Sequence, residues 1–182
     1  EQEYYSPHPN PTNSYGNTYG EHREFLEFNK DQHKQLQQWC KEYGVEYSTS
    51  VWDVNAAFDI IDLGPKMLKI PSACNLNFEL LQVISESFPG EIHLSFGMTT
   101  RKEEEKIINF FEEKGRNQDL VIYSCTSGYP VKFEDICLYE IQRLYEIFGS
   151  RVKQIGFSGH HLGISADIGA LTLGASIIEK HI

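Results

Sequence analysis

Two histidines, His160 and His181, stand at the polar ends of apolar stretches late in the chain. The stretches are Gly156-Phe157-Ser158-Gly159-His160 and Ile177-Ile178-Glu179-Lys180-His181. An amphipathic run over 163–174 separates them. Read as strand–helix–strand, the two strands are parallel and send their carboxyl ends to the same side of a sheet, where the imidazoles can converge. Two neutral imidazoles with positions left for water or substrate suit a catalytic divalent metal better than a closed structural site. A strand-end histidine can equally be a hydrogen-bonded packing residue, and His161 competes with His160 for the ligand's part.

Other side chains with chemistry fall at similar places. Lys69 interrupts the apolar stretch Met67-Leu68-Lys69-Ile70-Pro71. Pointing out of a barrel it would snorkel between helices; pointing in, it would put a cation at the mouth. With Ser72, Ser95 and Ser158 it would form a cradle for phosphate or carboxylate, one cation among short hydroxyl donors. Tyr129-Pro130, after Thr126-Ser127, is a loop that could present a phenol to a sugar, or a plain turn between strand and helix.

The elements that must carry these residues alternate strictly. Strands are predicted over 45–49, 67–71, 92–96, 120–125, 152–157 and 176–181. Helices are predicted over 30–43, 53–63, 78–88, 101–114, 133–148 and 163–174. Asp53 is a good N-cap, and Gly44 and Gly64 are good stops. Short apolar strands between amphipathic helices imply a parallel sheet. No G-x-G-x-x-G follows the first strand and no G-x-x-x-x-G-K-[ST] occurs, which weakens a nucleotide-binding reading. Polar residues recur at the carboxyl end of every strand, as in Ser48-Thr49, Ser95, Ser124 with Thr126, and Ser158 with His160. A doubly wound sheet gathers function at one switch point, whereas a (β/α)8 barrel uses the ends of several strands. The pattern favours an α/β (β/α)8 TIM barrel of which this chain carries about six strands. Residues 1–24, rich in Pro, Asn, Gly and Tyr (Pro7, Pro9, Pro11, Gly16), read as an irregular segment over the barrel mouth, and 25–182 as the partial barrel.

Composition sets outer bounds. The chain has 182 residues, 40% hydrophobic and 23% charged, enough for one domain with a real core. Its formal net charge of -10 offers no basic block for nucleic acid or an anionic membrane. No apolar run reaches membrane-spanning length. Cys40, Cys74, Cys125 and Cys137 are scattered without a CxxC pair, which argues against a zinc knuckle or disulfide framework and fits a reduced cytoplasm. The first residue is not methionine, so a piece of a longer protein is expected.

From about residue 14 onward the chain resembles the catalytic barrel of the sialic acid synthases. The motifs that carry this are Thr18-Tyr19-Gly20-Glu21-His22, Lys69-Ile70-Pro71-Ser72, Leu94-Ser95-Phe96-Gly97-Met98, Cys125-Thr126-Ser127-Gly128-Tyr129-Pro130, Gly156-Phe157-Ser158-Gly159-His160 and Leu173-Gly174-Ala175-Ser176-Ile177-Ile178-Glu179-Lys180-His181. The Tyr-Gly-Glu-His stretch and the Ser-Gly-His form are similar to the animal-type enzymes. That family condenses phosphoenolpyruvate with N-acetylmannosamine or its 6-phosphate. The resemblance implies that His160 and His181 hold a divalent metal, Mn2+ or Mg2+. It implies that Lys69, Ser72, Ser95 and Ser158, with Thr49 nearby, bind phosphoenolpyruvate. Ser127 and Tyr129 fall where the sugar is bound, and Glu179 and Tyr129 are the candidates for a catalytic role, Glu179 also for orienting a ligand or for a structural part. It further implies a homodimer in the full-length protein and, with its first strands and C-terminal antifreeze-like domain absent from this chain, an isolated fragment that is inactive.

The chain departs from the family at Cys74, where members commonly carry an acidic residue, a candidate acid–base group. Ser127 stands where bacterial members have Asn. Other readings are a synthase for legionaminic or pseudaminic acid, a retro-aldol lyase using Lys69 as a Schiff base, and a non-catalytic barrel that keeps the metal and sugar pocket, for which Cys74 speaks.

Overall fold

The computed structural model describes residues 4–8 and 10–181, so Pro9 lies outside the described residues. The chain divides into two compact units between Val45 and Glu46. In the first, helices α1 (Tyr19–Leu26) and α2 (Lys30–Glu42) follow a short 3-10 turn. Both helices begin in capping boxes. The Thr18 hydroxyl accepts the Glu21 N–H at 3.1 Å, and Asn29 and Gln32 exchange bonds of 2.8 and 3.0 Å. Helix α1 therefore starts inside the segment 1–24 expected to be irregular, and the expected boundary after residue 24 falls within it. The Thr-x-x-Glu signal was there to be read, among the glycines and asparagines that suggested a loop.

The second unit is α3 (Val54–Leu63), β1 (Met67–Ile70), α4 (Phe78–Ser87), β2 (Glu91–Ser95), α5 (Arg101–Glu113), β3 (Leu120–Cys125), α6 (Glu140–Phe148), β4 (Gln154–Gly159), α7 (Ser165–Thr172) and β5 (Ile178–Lys180). Local chemistry sets the helix ends as expected. Asp53 accepts the Ala56 N–H at 2.8 Å to open α3, which stops at Gly64 in the left-handed region at φ 62°. The helix expected over 133–148 is shorter. It opens as a 3-10 turn at Phe133–Asp135, and Cys137 at φ 51° breaks the run before α6.

The five strands are all parallel and lie in chain order. A doubly wound sheet would reverse its order at a switch point, and this one does not. Its outer face carries Leu68, Ile70, Ile92, Leu94, Ile122, Ile155 and Phe157 into a core with Ile60, Leu81, Ile108, Phe111, Leu144 and Phe148 from the helices. The other face carries Lys69, His93, Ser95, Tyr123, Cys125 and Ser158, in register across the strands. In a flat sheet β1 and β5 would lie about 19 Å apart, four spacings of ~4.8 Å. Instead Lys69 of β1 and Glu179 of β5 form an ion pair, so the sheet is curled with its polar face inside. This is the arc of a (β/α)8 barrel.

The strand expected over 45–49 does not form. Thr49 accepts the Lys69 N–H and the Val51 N–H donates to Lys69, each at 2.9 Å, leaving one bridge at Ser50. Val45, Glu46 and Ser48 are exposed, so half the stretch buries nothing that would hold it straight.

Candidate functional site

The inner face and the carboxyl ends of the strands enclose a pocket of about 190 Å³ lined by Ser50, Trp52, Lys69, Pro71, Ser72, Ser95, Cys125, Tyr129, Ser158, His160, Glu179, Lys180 and His181. Lys69, placed on the inner face by alternation between buried Leu68 and Ile70, is only 7% exposed. Its ammonium pairs with Glu179, whose other oxygen accepts the Ser158 hydroxyl at 2.6 Å. Burial pushes the Lys69 ammonium down and Glu179 opposes that. Burial alone would raise the Glu179 carboxyl, but Lys69 and Ser158 outweigh it and hold it below its usual range. Glu179 is thus a fixed anion that aims a cation and a hydroxyl into one space.

Ser95 is 2% exposed, and its hydroxyl is buried without a partner among the described residues. Such a group costs free energy unless a ligand satisfies it. Asn75 pins the loop after β2 by donating to the carbonyls of Ser95 and Gly97 at 3.0 and 3.1 Å. A Cβ at Gly97 would lie 2.5 Å from the Ser72 hydroxyl and 2.3 Å from that of Ser127. Only glycine lets both hydroxyls close on the loop at this point.

His160 and His181 face each other with ring centroids 5.2 Å apart, and the Tyr129 ring lies 4.3 Å from the first and 5.8 Å from the second. The Val131 N–H donates to the His160 carbonyl at 3.0 Å, which fixes the Tyr129-Pro130 loop over the pair. Burial holds His160 below the usual imidazole range, with the Thr126 backbone opposing, so the ring is neutral at neutral pH. Its Nδ1 is buried and meets no hydrogen-bond partner among the described residues. No cluster of three His, Cys, Asp or Glu side chains suited to a metal occurs among the described residues. Two facing imidazoles fit an ion that completes its shell with water or substrate, the open arrangement of a catalytic centre. His161 turns away from the pair. It is 4% exposed, packs on Phe157 and lies 3.3 Å from Asp167.

Eight of the ten expected residues therefore line one pocket: Lys69, Ser72, Ser95, Tyr129, Ser158, His160, Glu179 and His181. Two do not. Thr49 contributes its carbonyl to Lys69 N–H, and Ser50 takes the lining position. Ser127 stands against Gly97, beside Ser72. Sequence reasoning passed over Ser50, Trp52, Pro71, Cys125 and Lys180 as lining residues; the period-two alternation from Tyr123 to Cys125 would have found Cys125. Cys74 is not at the pocket. Its thiol donates to the Trp52 carbonyl at 3.2 Å, and burial keeps it protonated.

Comparisons with known proteins bear on the family and the fold. A sequence profile described as the NeuB family matches residues 1–182. The chain is 37% identical over 182 residues to the N-acetylneuraminate-9-phosphate synthase of Drosophila melanogaster, covering 100% of this chain and 46% of that protein. It is 31% identical over 157 residues to the N,N'-diacetyllegionaminic acid synthase of Campylobacter jejuni, covering 86% of this chain and 46% of that one. Among solved structures, the N-acetylneuraminic acid synthetase of Leptospira borgpetersenii, in complex with citrate, superposes with a TM-score of 0.79 at 29% identity, over 90% of this chain and 57% of that one. The chain thus spans about half the length of the curated relatives it matches.

Proposed function

The chain belongs to the NeuB family, and on that premise we propose that it is the barrel portion of a sialic acid synthase. The reaction would join phosphoenolpyruvate to the open-chain aldehyde of N-acetylmannosamine or its 6-phosphate, giving N-acetylneuraminate or its 9-phosphate and inorganic phosphate. The observation that carries this reading is one pocket that holds Lys69 and the unpartnered Ser95 hydroxyl beside the His160–His181 pair. An acid with a phosphate and a carboxylate asks for a cation and several hydroxyl donors, and an aldehyde asks for an electrophilic partner next to them.

Lys69 spends one N–H on Glu179 and keeps two for the substrate's anionic oxygens. Ser72, Ser95 and Ser158 supply neutral donors around it. A divalent ion, Mn2+ or Mg2+, held by His160 and His181, supplies Lewis-acid polarisation of the aldehyde oxygen when bound. Tyr129 covers the two imidazoles and gives the sugar an apolar face with a phenol at its edge. With both substrates held, the methylene carbon of phosphoenolpyruvate attacks the aldehyde carbon. Water adds at the enol carbon, and phosphate leaves with cleavage of the carbon–oxygen bond. A carboxyl held at low pKa is a weak base, so we assign Glu179 to orienting Lys69 and Ser158 and not to proton transfer. Cys74, protonated and outside the pocket, takes no acid–base part, and the protons pass through water or the substrates' own oxygens.

A second reading, a barrel that binds without turnover, draws on Cys74. Phosphate release decides between them. The full-length protein, incubated with phosphoenolpyruvate, a divalent ion and a panel of N-acetylhexosamines and their 6-phosphates, should release phosphate only when both substrates are present. Binding without release across the whole panel would favour the second reading. A stable adduct of Lys69 with pyruvate and borohydride would favour a lyase.

A further inference from the structure

We propose that Tyr123 is a positioning residue for Lys69, its ring forming the face on which the ammonium rests while His93 locks its hydroxyl from below. The proposal rests on the reading of Lys69 as the cation that binds phosphoenolpyruvate. Lys69 Nζ lies 4.3 Å from the centroid of the Tyr123 ring. The ring reaches this place because its register partner on β4 is glycine: a Cβ at Gly156 would stand 2.7 Å from Cε1 and 2.8 Å from Cδ1 of Tyr123. Tyr123 Oη is 2.6 Å from His93 Nδ1, and His93 Nε2 is 2.8 Å from Glu91 Oε1. Lys153 closes the row on the other oxygen of Glu91.

The hydrogen-bond roles follow from the end of this row. A carboxylate at Nε2 requires that nitrogen to carry the proton, so Nδ1 is the acceptor and the tyrosine hydroxyl donates to it. Burial keeps His93 neutral and Tyr123 protonated, the forms this direction requires. The bond anchors the hydroxyl end of the ring, and with Lys69 Nζ over the ring centroid it is the face and not the edge that meets the ammonium. Neither Tyr123 nor His93 lines the pocket, so both act through Lys69. A second carboxylate under Lys69 would cancel the charge that an anionic substrate needs. An aromatic face attracts the ammonium without consuming its charge or its N–H donors, and the attraction is strongest where water is excluded. Tyr123 is 3% exposed and Lys69 7%.

The test uses steady-state kinetics and direct phosphoenolpyruvate binding in the full-length protein. Tyr123→Phe keeps the ring, and phenylalanines bearing one, two and three fluorines at the same position drain charge from its face at nearly constant shape. Melting temperatures within the series should match, which separates the effect from folding. Tyr123→Phe, which keeps the ring but loses the bond to His93, should raise KM for phosphoenolpyruvate about threefold over wild type, and the trifluorinated ring should raise it about tenfold over Phe, as expected for a desolvated cation–π contact. KM for the sugar should stay level. A flat series in a protein that turns over phosphoenolpyruvate, or a sugar KM that rises in parallel, would overturn the positioning role alone. A wild-type protein that neither binds nor consumes phosphoenolpyruvate would overturn the synthase reading and this role with it.

Discussion

At the scale of single residues, the site separates side chains that act from side chains that hold. On the proposed function, His160→Ala and His181→Ala should each lower kcat by more than a hundredfold and weaken metal binding measured by titration, because a divalent ion held there would supply several kcal/mol of charge stabilisation. His161→Ala should leave metal affinity unchanged and cost stability, since His161 is buried against Asp167 and Phe157. Lys69→Ala should raise KM for phosphoenolpyruvate by about ten- to a hundredfold, the loss of a charge-assisted bond of roughly 1.5–3 kcal/mol, and change the sugar's KM little. An equal rise in both would assign Lys69 to structure. Burial also links His93 to stability. Its folded pKa lies below the ordinary 6.5, so the unfolded chain takes up the proton first. That contribution is complete above 6.5 and is lost as pH falls from there through the folded value. Glu179, held below its ordinary 4.5, adds a second loss as pH falls below 4.5. The loss of melting temperature between pH 6.5 and pH 4.5 should therefore be smaller in His93→Phe than in wild type; His160, which burial also holds low, adds to that loss in both proteins, and Glu104, pushed up to about 7 by burial, opposes it in both.

At the scale of elements, the helices are fixed by their ends and tied to one another by buried ions. The Arg143 guanidinium of α6 grips Glu104 of α5 at 2.9 and 2.8 Å, and Glu104 is 5% exposed. Arg143→Met should cost about 3–5 kcal/mol in chemical denaturation at pH 8, where it strands a buried carboxylate, and less at pH 6, because burial pushes the Glu104 carboxyl up to about 7 and it can take up a proton. Glu104→Gln together with Arg143→Met should recover much of that loss. Asp53→Ala should cost about 1 kcal/mol through the lost cap of α3. Most boundaries were legible because their signals are local: Asp53, Gly64 and the Thr100–Glu103 box each decide an end within a few residues. The failures have separate causes. Residues 45–49 have strand-like composition, yet Val45, Glu46 and Ser48 are exposed and only the bridge at Ser50 forms. The break at Cys137 depends on a left-handed backbone angle at a non-glycine residue, for which the sequence carries no sign.

At the scale of the whole molecule, each of the two units has its own pattern of contacts, and the barrel arc leaves apolar side chains on one flank uncovered. Leu162, Ile164, Ile168 and Leu171 are all exposed around α7, and β5 pairs only with β4 among the described residues. An uncovered edge and apolar face promote association. The 182-residue chain expressed alone should form large, polydisperse assemblies in light scattering and bind a hydrophobic dye, whereas the full-length protein should scatter as one defined species and leave the dye unbound. A monomeric, dye-free preparation of these residues would count against a barrel completed by further chain. The sequence by itself determined the alternation of strands and helices, the polar carboxyl ends and the identity of eight of the thirteen residues that line the pocket. Period and end signals are short-range, and motif order survives without knowing the fold. Only the tertiary structure decided that Lys69 points inward, that His160 and not His161 faces His181, that Cys74 stays out of the pocket, and that Tyr123 and His93 stand beneath the cation. Each of these depends on the curl that brings β1 to β5 and on the in-register neighbours of each residue, and both arise from packing between segments far apart in the chain.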